Sequence, residues 1–150
     1  MPGNQTHIAL PRERFRQLKS VSAALGNASM SRTVGELMAL AAMNGIITRD
    51  FPGVVVKSAA DGILVQFGDE RAHAIPNTAV APLAETIREF ATGAHEAAEC
   101  FDMDAMVIVR KRGPAVQIIL GGIGGATKTW PCDLALEFAD LLESALAKAA

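Results

Sequence analysis

The chain has 150 residues, half of them hydrophobic and a fifth charged, with a net charge of −2. That composition fits a folded globular protein and excludes a disordered one, and the length accommodates one ordinary domain or two small ones. No apolar run approaches the roughly 20 residues that span a bilayer, and the opening MPGNQTHIALPRER has no basic-then-apolar leader, so a cytoplasmic location without a membrane partner is expected.

The modest net charge hides an uneven distribution. Residues 1 to 50 carry +3, from Arg12, Arg14, Arg16, Lys19, Arg32 and Arg49 against Glu13, Glu36 and Asp50, so residues 51 to 150 carry −5. A basic segment joined to an acidic one suits a DNA-contacting end fused to a regulatory or partner-binding domain. Tyrosine is absent and Trp130 is the only tryptophan, which disfavours a surface built on base stacking. Cys100 and Cys132 lack metal-ligand spacing and are expected to be small buried hydrophobes.

In chain order, Asn4 to Leu10 alternates like a short strand, with Thr6, Ile8 and Leu10 on one face and Gln5, His7 and Ala9 on the other. Pro11 ends that ladder and can open a helix, in which Phe15, Leu18, Val21 and Leu25 form the apolar stripe until Gly26-Asn27 stops it. Ser29 can cap a second helix from Met30, with Val34, Leu37, Met38 and Ala41 as its stripe, fading near Asn44-Gly45. Phe51-Pro52-Gly53 reads as a linker. Beyond it, strands are expected at Val54 to Lys57, Gly62 to Phe67 and Ala72 to Ile75, then a helix from Thr78 to Ala91. The order repeats with strands at Met106 to Arg110, Val116 to Leu120 and Ala126 to Trp130 and a helix from Asp133 to about Lys148. The pattern fits either a duplication, with Val54-Val55-Val56-Lys57 aligned on Val107-Ile108-Val109-Arg110, or two independent hairpin-then-helix units.

The segment THIALPRERFRQLKSVSAALGNASMSRTVGELMALA, with its strand closed by Leu10-Pro11, the Leu25-Gly26 stop and the Ser29-Met30-Ser31 helix start, resembles the ribbon-helix-helix (Arc/MetJ-like) DNA-binding family. The resemblance covers under a third of the chain. It implies an intertwined homodimer in which two chains pair their strands into a ribbon that enters the major groove.

The residues support the same picture on their own terms. A strand this short exposes unpaired N–H and C=O groups and needs a partner, for which a second copy is the simplest choice. On a ribbon in the major groove, Gln5, His7 and Ala9 would face base edges: Gln5 suits adenine, His7 can donate or accept, and Ala9 reaches at most a thymine methyl. Ala9 departs from the longer polar residues usual in the family. The start of the second helix, with Ser29, Ser31 and Arg32, is the expected phosphate site. The alternative is that Arg32 extends into solvent or pairs with Glu36, four residues on. Among the charges of the first helix, which otherwise form a solvated face, Arg12 lies next to the ribbon and is expected to reach a phosphate. Gly35 inside the second helix is either a point of close approach to another helix or a tolerated weakness.

Patterns suggestive of catalysis are weak. Gly121-Gly122-Ile123-Gly124-Gly125-Ala126-Thr127-Lys128-Thr129 has Thr127 where a phosphate-binding P-loop needs glycine, and reads as a hairpin loop. His95-Glu96-Ala97-Ala98-Glu99 lacks the second histidine of a zinc-protease helix, and His73 has no carboxylate or nucleophile at informative spacing. No catalytic residue, metal or cofactor is expected. The expected fold is α+β, with a DNA-binding and dimerisation module over residues 1–50 and an acidic α+β regulatory or interaction domain, open to a protein partner or small ligand, over residues 51–150. The expected function is a homodimeric binder of double-stranded DNA, a transcriptional repressor or plasmid or mobile-element accessory protein. The alternative is a protein-interaction or assembly protein whose first segment only dimerises.

Overall fold

The computed structural model describes residues 6–26, 29–47, 51 and 53–149. Among the described residues the chain is mixed α and β, with four helices and two antiparallel sheets, and it divides into two compact units, Met1–Arg49 and Asp50–Ala150.

The first unit is a pair of packed helices, α1 (Arg12–Leu25) and α2 (Met30–Met43). Pro11 is the residue flanking α1 rather than its first helical one, and its fixed φ of −56° leads the chain into the helix without a side-chain cap. Gly26, at φ 69°, stops α1 in the left-handed conformation that glycine adopts without penalty. Ser29 caps α2 by accepting a hydrogen bond from the Arg32 N–H at 3.2 Å. Residues 6–10 have no regular structure in the single chain, so the expected strand is not formed there. A β-strand is defined by its ladder, and one chain offers this segment no partner.

The second unit runs β1 (Val54–Ser58), β2 (Gly62–Phe67), β3 (His73–Pro76), α3 (Asn77–Thr92), β4 (Glu99–Asp102), β5 (Val107–Arg112), β6 (Ala115–Leu120), β7 (Ala126–Pro131) and α4 (Cys132–Ala149). The sheets are ordered β1-β2-β3 and β4-β5-β6-β7. The recurrence of three strands and a helix is present in register as well as in order, since Val54 pairs with Phe67 as Val107 pairs with Leu120. Each third strand ends at a proline, Pro76 or Pro131, and the helix begins at the next residue. Proline cannot extend the ladder as a donor, so the same residue ends the strand and opens the helix.

The helices α3 and α4 pack along each other and against strands of both sheets. The core takes Ile63, Val65 and Phe67 from β2, Leu83, Ile87 and Phe90 from α3, Val107, Val109 and Ile118 from β5 and β6, and Phe138 and Leu142 from α4. Phe67, Trp130 and Phe138 meet with centroids 5.0 to 6.0 Å apart, and Phe51 joins them edge-on at 5.2 Å from Trp130. Phe51 therefore belongs to the second unit's core and not to a linker. β4, which no periodicity announced, is a four-residue edge strand whose outward Glu99 forms an ion pair with Arg110 on β5. Both cysteines are half-buried rather than buried. Cys132 Sγ lies 3.5 Å from Lys111 Nζ and 3.3 Å from the Pro114 carbonyl, while desolvation, then Asp102 and Glu89, push the Cys100 thiol above its ordinary pKa. No helix among the described residues is long and apolar enough to cross a membrane.

Candidate nucleic-acid interface

The first unit is unusual in where its apolar residues sit. Among the described residues, every buried apolar side chain belongs to the second unit, and the only buried residues of α1 and α2 are Ser22 and Thr33. The stripe residues Leu18, Val21, Leu37 and Ala41 are half-buried, while Phe15, Leu25, Val34 and Met38 are exposed. Ile8, Leu10, Leu40, Met43, Ile46 and Ile47 extend that exposure beyond the predicted stripes. Ten of the sixteen exposed large hydrophobic residues among the described ones thus fall in the smaller unit. A monomer with this much apolar surface on two short helices has little to hold it together, because small units bury the smallest fraction of their surface.

The predicted base-contacting residues are only partly placed. Gln5 lies outside the described residues. His7 and Ala9 are exposed in the irregular segment that leads into α1. Arg12 follows as the first residue of α1 and is exposed. Arg14 donates to Gln17 Oε1 at 3.0 Å, and Lys19 Nζ stands 5.1 Å from the Phe15 ring centroid, so these two charges are engaged along their own helix.

The predicted phosphate contacts gather at the start of α2. Ser29, Ser31 and Arg32 are all exposed there. The Ser29 oxygen is committed as cap acceptor to Arg32 N–H, which leaves its O–H as a donor. The Ser29 carbonyl accepts from Thr33 Oγ1 at 3.0 Å, which fixes the first turn. Among the described residues, the Arg32 guanidinium has no ion pair with Glu36. A cation at the positive end of a helix dipole is unfavourable by roughly 0.3 to 1 kcal/mol, and a bound anion would offset that cost. Gly35 is half-buried, so in the single chain no helix closes fully upon it.

The patterns suggestive of catalysis take other shapes. Lys128 and Thr129 lie within β7 and the next helix begins at Cys132, so the glycine run is a hairpin turn between β6 and β7. His95 and Glu96 lie beyond the end of α3 in an irregular segment, with His95 stacked on Phe90 at 4.2 Å between centroids. His73, at the start of β3, directs Nε2 to the Ala105 carbonyl at 2.7 Å. Among the described residues no group of three His, Cys, Asp or Glu side chains could hold a metal ion. Comparison with known protein families, curated proteins and solved structures found no match for this chain.

Proposed function

We propose that the chain is a homodimeric DNA-binding protein whose first unit is completed by a second copy. The observation that carries this reading is the exposed apolar surface of α1 and α2, which has no core of its own within one chain. Pairing residues 4–10 of two chains would satisfy their backbone groups and bring Ile8 and Leu10 over the helices. The opposite face of that ribbon would then carry Gln5, His7 and Ala9 into a major groove. Arg12 and the α2 start with Ser29, Ser31 and Arg32 would hold the flanking phosphates. Occupancy of an operator, as a cytoplasmic repressor or a plasmid or mobile-element accessory protein, is the matching mode of action. The acidic second unit serves as the regulatory or interaction domain.

The assay is binding of the full chain to random duplex DNA across a salt series, with its oligomeric state measured in parallel. Affinity should fall steeply with salt as condensed counterions are released. Ala9 favours one rival, a dimerisation arm in an assembly protein, because it adds almost no base-reading capacity. A folded dimer that fails to bind DNA even at low salt would decide for that rival.

A further inference from the structure

The second unit contains a cavity of about 580 Å³, lined by Glu70, Arg71 and His73 on one side and Gly121, Gly124 and Gly125 on the other. These two segments hold equivalent places in the repeat, since each joins its second strand to its third. Two corresponding loops therefore converge on one space, whose volume is within the roughly 300 to 1,000 Å³ typical of small-molecule sites.

The two loops contribute different chemistry. From the first come side chains. Arg71 is exposed and, among the described residues, has no ion pair. The Ala105 carbonyl can only accept, so His73 Nε2 carries the proton, and Nδ1 faces Gly121, 3.8 Å from where a Cβ there would stand. Nδ1 is thus an acceptor on the neutral ring and becomes a second donor when the ring is protonated. From the second loop comes bare backbone. Gly121 and Gly124 adopt φ of 85° and 82°, and a side chain at Gly125 would collide with the Leu120 carbonyl. A ligand can approach such a surface closely.

We propose that this cavity binds a small molecule through an anionic group, a carboxylate or phosphate, held by Arg71 and His73. The planar guanidinium suits bidentate contact with either group, and where the imidazole carries a second proton its Nδ1–H would add a charge-assisted hydrogen bond. Glu70, the one carboxylate in the lining, opposes additional negative charge on the ligand. The site is independent of the DNA-binding reading.

The test titrates the full chain with inorganic phosphate and, separately, with acetate, at ionic strength matched by sodium chloride. Imidazole signals of His73 and amide signals of Gly121 and Gly124 are followed by NMR. A saturable shift is expected with at least one anion, phosphate alone marking a phosphate-bearing ligand and acetate alone a carboxylate-bearing one. Arg71→Ala should weaken binding about tenfold, the usual consequence of losing one charge-assisted hydrogen bond. His73→Gln, which keeps a donor for the Ala105 carbonyl, should also weaken it, while Glu70→Gln should tighten it. Amide signals outside the cavity report that each variant is folded. No saturable response beyond chloride, or unchanged affinity in Arg71→Ala, overturns the proposal.

Discussion

Met38→Ala should weaken the proposed dimer without unfolding the helix that carries it. Met38 lies mid-helix in α2 and is 52% exposed in the single chain. Complete burial of a methionine is worth about 1.5 to 3 kcal/mol, so roughly half of that, about 1 kcal/mol, remains to be gained when a second copy covers it. A twofold interface counts the residue twice, giving about 2 kcal/mol per dimer and roughly a 30-fold rise in the dissociation constant. Alanine is the best helix former, so the substitution leaves α2 no weaker by propensity. Sedimentation equilibrium over a concentration series measures the constant for the wild type, Met38→Ala and Ile123→Ala. Ile123, 93% exposed in the β6–β7 turn, is the control and should change nothing. A wild type that stays monomeric, or an equal shift in both variants, would refute the reasoning.

Other perturbations address separate links. Ser29→Ala removes the α2 cap acceptor and should cost about 1 kcal/mol, read from the thermal unfolding of the full chain by circular dichroism. Phe138→Ala empties the fully buried centre of the aromatic cluster and should cost about 3 to 5 kcal/mol in urea unfolding; a loss below about 1 kcal/mol would contradict the packing described. The hydrogen bond from Arg88, then its charge, holds the Glu143 carboxyl below its ordinary pKa despite an opposing desolvation effect. A lowered folded-state pKa means stability gained above the unfolded value, about 4.3, and lost as pH falls through the folded one. The difference in urea midpoint between wild type and Glu143→Gln should therefore be present near neutrality and vanish in acid; a difference that grows in acid would reverse the sign. Arg32→Ala should weaken DNA binding alike on all sequences and lower the salt slope by about 1, whereas His7→Ala should mainly relax sequence preference.

The second unit was largely legible in the sequence because its strands are separated by glycine turns and its helices carry continuous apolar stripes. Gly62 to Phe67 is a strand over those same residues, and α1 and α2 begin and end within a residue of their caps. β4 escaped because Glu99 and Asp102 bracket a strand too short to show a period, and its pairing with β5 creates it. Phe51 was misread from its Pro-Gly neighbours, which describe the backbone and say nothing of where the ring goes. The strand expected at Asn4 to Leu10 shows a different kind of limit. Alternation records which faces a segment would have, but a strand also needs a ladder partner, and residues 6–10 have none within this chain. The cavity was hidden for a related reason, since Arg71 and Gly121 lie fifty residues apart and only the repeated topology brings their loops together.

The most direct measurement is the affinity of the full chain for random duplex DNA between about 50 and 200 mM salt, a range over which six to ten phosphate contacts cost about 10³ to 10⁵ in affinity. A homodimeric binder should show a steep linear fall of log affinity with log salt, made shallower by Arg32→Ala. A folded dimer with no affinity at the lowest salt, or binding indifferent to salt, would contradict a DNA-binding role for the first unit.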